Sequence, residues 1–154
     1  MVGGALGLDG EIGAGFGSGM LYAGRFYLGP ALFFGNRTMI SLLPGIGGSA
    51  IRGGALPGAG EVPIELSVAT DLGRRVRVRL FTRPQWVFGS KARQNGVAGL
   101  SVFDEWTHGA WVALGRRRAN LKSSGLSIGF AAQQAMGTVL LTGSIGYFGT
   151  AFEE

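Results

Sequence analysis

The most constraining feature of this 154-residue sequence is a strict alternation of apolar and polar side chains with a period of two residues. Over 61–69 the even positions carry branched apolar side chains, whereas the odd positions include Glu61 and Glu65. After a break at 71–73 the alternation resumes over 74–83, where most odd positions carry arginine. Because successive side chains of a β-strand point to opposite faces, this pattern predicts strands with two chemically unlike faces.

The two alternating segments predict a β-hairpin with a charged face. A three-residue hairpin loop commonly ends with glycine in the left-handed conformation, and Gly73 supplies that residue for the loop Asp71-Leu72-Gly73. The resulting register places three polar pairs opposite each other: Glu65 with Arg79, Glu61 with Arg83, and Ser67 with Arg77. The sequence therefore predicts a charge network that consists of Glu61, Glu65, Arg75, Arg77, Arg79 and Arg83, with Asp9, Glu11 and Arg25 as further candidates.

The same alternation covers almost the whole chain and predicts an all-β fold. Nine stretches qualify as strands: 2–16, 20–34, 38–51, 61–70, 74–88, 96–106, 110–117, 125–133 and 137–150. One face of these strands is aliphatic, and the other carries glycine, small polar residues and charge. A soluble sheet protein packs its aliphatic face inward and covers its outside with polar side chains. The pattern therefore favours an antiparallel up-and-down transmembrane barrel with a polar, glycine-rich lumen and an apolar exterior.

Composition disfavours one alternative interpretation and leaves another open. Thirty glycines disfavour a helical bundle, and only 15% of the residues are charged. One alternative is a soluble lipocalin-like barrel that binds an apolar ligand, but designed water-facing surfaces are about 25–35% charged. The other alternative is a cytosolic assembly subunit whose apolar face is covered in a homo-oligomer. The sequence leaves the oligomeric state open.

The number of strands follows from a parity rule. Bacterial single-chain barrels have even strand numbers, so one boundary among the nine stretches is misplaced, with Asp9-Gly10, Pro30 and Pro44 as candidates. We expect eight strands, with ten as the alternative, in a single domain over 1–154. From residue 34 onward short links alternate with long ones at 52–60, 89–96 and 118–124. We expect the long links at the outer end of the barrel.

One class of membrane protein combines four features of this sequence: two-residue alternation along the strands, many glycines, short links that alternate with long ones, and aromatic residues near strand ends. On these features the chain resembles the small bacterial outer-membrane β-barrel proteins of the eight-to-ten-stranded type. The resemblance implies a porin-like membrane protein in the bacterial outer membrane, with the lipid bilayer as its partner. It also implies that a signal peptide, which these residues do not contain, is removed before the mature start. The resemblance implies no catalytic residues.

Catalysis is not expected from the polar residues. His108 is the one histidine, and the sequence places it in a solvated turn, Thr107-His108-Gly109. With one histidine and no cysteine, neither a zinc site nor another cofactor is expected. Because Glu61 and Glu65 offset the arginines, nucleic-acid binding is not expected either. The expected function is a non-catalytic structural barrel with a Glu/Arg-paired lumen, and a narrow anion-permeable pore is the alternative.

A second basic cluster flanks the link 118–124. Its members are Arg116, Arg117, Arg118 and Lys122. One interpretation is contact with the phosphates of lipopolysaccharide at the outer rim, through charge-assisted hydrogen bonds. The other interpretation is a solvated loop, and the sequence leaves both open.

Overall fold

A computed structural model of the chain describes residues 1–15, 19–35, 37–52, 58–73, 75–89, 102–117, 123–135 and 138–152. These ranges contain eight strands: β1 (Val2–Gly15), β2 (Gly19–Phe34), β3 (Thr38–Arg52), β4 (Ala59–Leu72), β5 (Val76–Phe88), β6 (Glu105–Arg117), β7 (Ser123–Ala135) and β8 (Thr138–Phe152). Each strand pairs antiparallel with the next, and β1 pairs with β8 to close a barrel. Within the same ranges no helix is long and apolar enough to cross a membrane. The prediction of an eight-stranded antiparallel barrel is confirmed.

The misplaced boundary lies at β6. The sequence predicts two strands there, 96–106 and 110–117, with a turn at His108, but β6 is continuous from Glu105 to Arg117. His108 pairs with Thr82 on one side and Ala132 on the other, so the predicted turn is wrong. Most of the predicted strand 96–106 falls outside the described residues, and the described residues 102–104 are not strand.

None of the three suspected breakpoints ends a strand. β1 runs through Asp9 and Gly10, β2 contains Pro30, and β3 contains Pro44. The ladder between β2 and β3 skips the residues around the two prolines, since proline has no backbone N–H to donate. The loss of ladder hydrogen bonds is therefore confined to this stretch, and the prolines do not interrupt the barrel.

The two faces of the wall are as unlike as the alternation predicts. In β4, the inward Glu61 and Glu65 are 0% exposed, whereas the outward Leu66 and Val68 are each 46% exposed. The same outward exposure of large apolar side chains recurs around the barrel, for example at Leu80, Leu114, Leu126, Phe130, Leu141 and Ile145. A lipocalin-like barrel requires the reverse arrangement, so that interpretation is wrong. An apolar outside around a polar inside is the arrangement of a barrel in lipid.

The β4–β5 hairpin has a different register from the predicted one. β4 continues to Leu72 and β5 begins at Val76, so Gly73, with φ +79°, begins the loop and does not end it. Arg77 consequently lies opposite Asp71 and not opposite Ser67, a shift of four residues (71 − 67). Because the shift is even, every side chain stays on its predicted face.

Because β6 is one strand and not two, the links are divided between the two ends of the barrel differently from the prediction. The end that we term the terminal rim carries the first residues of β1, the last residues of β8, and the β2–β3, β4–β5 and β6–β7 links. The opposite end, the long-loop rim, carries the other links, among them 89–104 between β5 and β6. Longer loops are typical of the outer side of such barrels.

Two inward and two outward glycines show how the packing around a glycine can differ between the faces of the wall. A Cβ on the inward Gly47 would lie 2.6 Å from Arg25 Cγ, and one on the inward Gly129 would lie 2.6 Å from Trp111 Cδ2. On the outward Gly10 and Gly24, no atom would come closer than 3.8 and 4.0 Å. Gly47 and Gly129 therefore make room for the large lumen side chains Arg25 and Trp111.

Candidate functional site

The candidate site is the barrel interior, where alternation along the strands brings charged side chains together. Seven charged residues form what we term the lumen network: Asp9, Glu11, Arg25, Glu61, Glu65, Arg79 and Arg83. Each has less than 9% of its surface exposed. They come from β1, β2, β4 and β5, so the network joins distant parts of the sequence.

Arg25 links the acids of β1 with those of β4. Its Nε donates to Glu61 Oε2 at 2.7 Å, and its Nη1 donates to Glu11 Oε2 and lies 4.0 Å from Asp9 Oδ1. Glu61 also accepts a hydrogen bond from Ser49 Oγ. The guanidinium is fully buried and is flanked by carboxylates, the arrangement that a buried charge requires.

Arg83 crosses the lumen. It belongs to β5, and its Nη2 donates to Glu11 Oε2 on β1 at 2.8 Å, while its Nη1 donates to Tyr27 Oη at 2.8 Å and to Asp9 Oδ2 at 3.2 Å. β1 and β5 lie on opposite sides of the barrel, with β2–β4 between them one way and β6–β8 the other. The side chain therefore spans the interior at this level. The predicted pairing of Arg83 with Glu61 is wrong.

Arg79 belongs to the lumen network through Glu65. Arg79 Nη1 lies 3.2 Å from Glu65 Oε1, so the structure brings this predicted pair together. The Arg79 guanidinium also lies over the rings of Phe148 and Trp111, 4.4 and 5.3 Å from their centroids, as in cation–π contacts.

Arg77 and Arg75 are near the terminal rim. Arg77 makes a bidentate pair with Asp71 at 2.6 and 3.1 Å, so its predicted neighbour Ser67 is replaced. Arg75 lies in the β4–β5 turn and is exposed. Its predicted place in the lumen is wrong, because the turn lies two residues further along the chain than the predicted loop.

A second polar group in the lumen was not among the predicted site residues. Glu105 Oε2 accepts hydrogen bonds from Gln85 Nε2 at 2.6 Å and from Gln133 Nε2 at 2.7 Å, and all three side chains are 0% exposed. Their inward positions follow from alternation along β5, β6 and β7. Glu105 was missed in the prediction because the predicted turn Thr107-His108-Gly109 begins two residues after it.

Apolar side chains line the lumen on both sides of its polar part. Near the terminal rim, buried Phe33, Met39 and Phe148 belong to one apolar cluster together with Tyr27 and Leu43. Near the long-loop rim, the inward side chains Leu21, Ala59, Val87 and Leu140 are buried. Apolar side chains therefore flank the polar part of the lumen towards both ends of the described barrel.

The remaining predicted residues lie outside this network. His108 is exposed on the outward face of β6, while Glu105 of the same strand points inward, so the two cannot act on one substrate. Among the described residues, no group of three or more histidine, aspartate and glutamate side chains could hold a metal ion.

The second basic cluster is not at the rim that the lipopolysaccharide interpretation requires. Arg116 and Arg117 are the last residues of β6 and pair with Ser124 and Ser123, at the terminal rim. Arg118 and Lys122 lie outside the described residues. With one strand fewer before it, the β6–β7 link changes ends, so its predicted placement beside the other long links is wrong.

Comparison with known proteins shows the fold. No family model matches the chain, and no curated protein sequence is similar to it. The crystal structure of Neisserial surface protein A (NspA) superposes with a TM-score of 0.52 at 10% identity, over 99% of this chain and 97% of that one. The fold is that of a small transmembrane β-barrel.

Two further solved structures are similar at lower scores. A de novo designed transmembrane β-barrel gives a TM-score of 0.45 at 12% identity, over 96% of this chain and 95% of that chain. The KdgM porin in complex with disordered oligogalacturonate gives 0.32 at 11% identity, over 97% and 99%.

Proposed function

We propose that residues 1–154 form one non-catalytic, structural barrel of the bacterial outer membrane, and that its lumen is closed to diffusion. The observation that carries this proposal is Arg83, whose guanidinium binds Asp9, Glu11 and Tyr27 from the opposite side of the barrel. The interior of an eight-stranded barrel is just wide enough for side chains to fill.

The outer wall supports the location. Large apolar side chains such as Leu126 (69% exposed) and Phe130 (73%) face outward. A closed barrel leaves no unpaired strand edge, which is what hydrocarbon surroundings demand of the backbone. Single-chain barrels with short turns at one end and longer loops at the other are typical of the bacterial outer membrane, where the longer loops are external.

Conductance across a planar bilayer tests the closed lumen. The wild-type barrel is expected to give no stepwise current, and so is Arg75→Ala, which alters an exposed arginine outside the lumen. Arg83→Ala removes the guanidinium that spans the interior and is expected to give small, reproducible current steps. Insertion of each variant is checked by the mobility difference between heated and unheated samples on a gel.

The opposite result would favour the narrow pore. If the wild-type barrel conducts reproducibly, the closed lumen is wrong. Arg77→Glu and Arg79→Glu then ask whether the current depends on these arginines, since reversing their charge would change the anion preference of a pore that they line.

A further inference from the structure

His108 is a polar side chain on the lipid-facing wall. It is exposed on the outward face of β6, and the next outward positions along this strand are Ala110, Val112 and Leu114. Val112 and Leu114 are 44% and 61% exposed, as expected for side chains that face hydrocarbon. His108 therefore lies where the apolar column of β6 ends, on the side of the long-loop rim.

A row of aromatic rings indicates the depth of this position. The centroids of Trp86 and Phe103 are 4.9 Å apart, those of Phe103 and Trp106 are 5.9 Å apart, and the Trp106 ring stacks on His108 at 5.7 Å and 22°. Trp86 Nε1 donates to the carbonyl of Val102 at 2.8 Å, which holds the residues before β6 against this row. Tryptophan rings on a barrel wall are typical of the headgroup level of the membrane.

Hydrogen bonds around Thr82 favour the Nε2–H tautomer of His108. Trp106 Nε1, which can only donate, lies 2.5 Å from Thr82 Oγ1, and that oxygen is 3.0 Å from His108 Nδ1. If Nδ1 carried the proton, the donor left without an acceptor among the described residues would be the hydroxyl of Thr82, which is less exposed than His108. When the hydroxyl donates to Nδ1, that donor is instead the Nε2–H group of the exposed ring, where the surroundings of the barrel can supply an acceptor.

The Nε2–H group has no acceptor within the described part of the protein. No hydrogen bond to it is formed there, and the residue opposite His108 on β7 is Ala132, whose methyl group leaves the edge of the ring open. A donor that faces lipid without a partner costs free energy. The acceptors that the membrane supplies at headgroup level are lipid oxygens, and the anionic phosphate forms the stronger hydrogen bond.

We propose that His108 Nε2–H, set by the Trp106–Thr82 hydrogen bonds, binds a phosphate oxygen of a membrane lipid on the outer wall beside the aromatic row. The proposal needs only that the barrel lies in a bilayer. It is independent of whether the lumen conducts, so the conductance experiment and the one below fail separately.

NMR of the single histidine tests this site. Full-length protein labelled with ¹⁵N-histidine is folded in uncharged maltoside micelles at pH 8 and titrated with dioleoylphosphatidylglycerol. We expect the Nε2–H tautomer and a saturable downfield shift of Nε2–H. Equal concentrations of dioleoylglycerol, which lacks the phosphate, or of inorganic phosphate, which lacks the chains, are expected to give less than a fifth of that shift.

Two variants complete the test. Thr82→Val keeps the shape of the side chain and removes its hydroxyl. In this variant we expect the proton to occupy either ring nitrogen of His108, and the shift of Nε2–H on adding lipid to fall at least threefold. Tyr22→Phe, which removes an outward hydroxyl elsewhere on the wall, is expected to leave both unchanged. The Nδ1–H tautomer in the wild type, an unresponsive Nε2–H, or an equal response to dioleoylglycerol would overturn the lipid-phosphate site. An equal response to inorganic phosphate would show free-ion binding only and would also overturn it.

Discussion

Arg79 and Leu80 are neighbours on β5, yet they lie on opposite sides of the barrel wall. Arg79 is 6% exposed and contacts Glu65, Phe148 and Trp111, whereas Leu80 is 60% exposed and faces outward. The inward side chain depends on particular partners in particular places. The outward one has to satisfy only the requirement that it be apolar, because lipid has no fixed arrangement to match. Substitutions on the two faces should therefore act through different physical causes.

The largest expected effect comes from removing an inward charge. In Arg25→Met, both carboxylates stay buried, Glu61 loses its ion pair with Arg25, and Glu11 keeps only the one with Arg83, so we expect a loss of about 3–5 kcal/mol in the free energy of unfolding. The matched control is Arg75→Met, which removes an exposed turn arginine and should change stability by less than about 0.5 kcal/mol. Urea unfolding in lipid vesicles, followed by tryptophan fluorescence, measures both. Equal effects of the two variants would contradict a stabilising role for the network.

The next effect comes from adding a charge to the outward face. Leu80→Arg places a guanidinium against hydrocarbon in the middle of β5, and we expect a loss of about 2–4 kcal/mol. Leu72→Arg is the control, because Leu72 is also outward but is the last residue of β4, at the terminal rim. There the cost should fall to about 0–1 kcal/mol. The same vesicle unfolding assay applies, and equal costs at the two positions would show that Leu80 does not face the hydrocarbon.

The side of the wall that each side chain occupies could be predicted from sequence, because it depends only on whether the residue stands at an odd or an even position along its strand. Glu65 and Leu66 keep their assigned sides even though the β4–β5 loop lies two residues away from its predicted place. Local pattern is sufficient here, since the side-chain period of a strand does not depend on its partner.

Register and turn positions depend on more than local pattern. Gly73 can supply its positive φ at either end of a three-residue loop, so the glycine alone does not fix the register. His108-Gly109 has the composition of a turn, but Gly109 lies within a ladder where a Cβ would be 2.6 Å from that of Ala131. Close packing of neighbouring strands explains this glycine, and that packing is invisible in the segment itself.

The partners in the lumen were the least predictable part of the site. Hairpin reasoning assigns Arg83 to Glu61 on the adjacent strand, whereas the closed barrel brings it to Asp9 and Glu11 on β1. That contact depends on how many strands close the barrel and how they are staggered. The sequence therefore identifies which residues enter the lumen but not which of them meet.

Glycine offers the finest test of the difference between the two faces, because one substitution has opposite signs on them. In Gly47→Ala the new methyl group would lie 2.6 Å from Arg25 Cγ and from the carbonyl oxygen of Gly24, so the strand has to move, and we expect a loss of about 1–3 kcal/mol. In Gly24→Ala the methyl group points outward, 4.0 Å from its nearest neighbour, and the loss of glycine's backbone entropy in the unfolded chain should stabilise the barrel by about 0.5–1 kcal/mol. The vesicle unfolding midpoints of these two variants should thus move in opposite directions. A shift of both in the same direction would mean that strand propensity, and not the crowding of the lumen, determines where this chain can replace glycine.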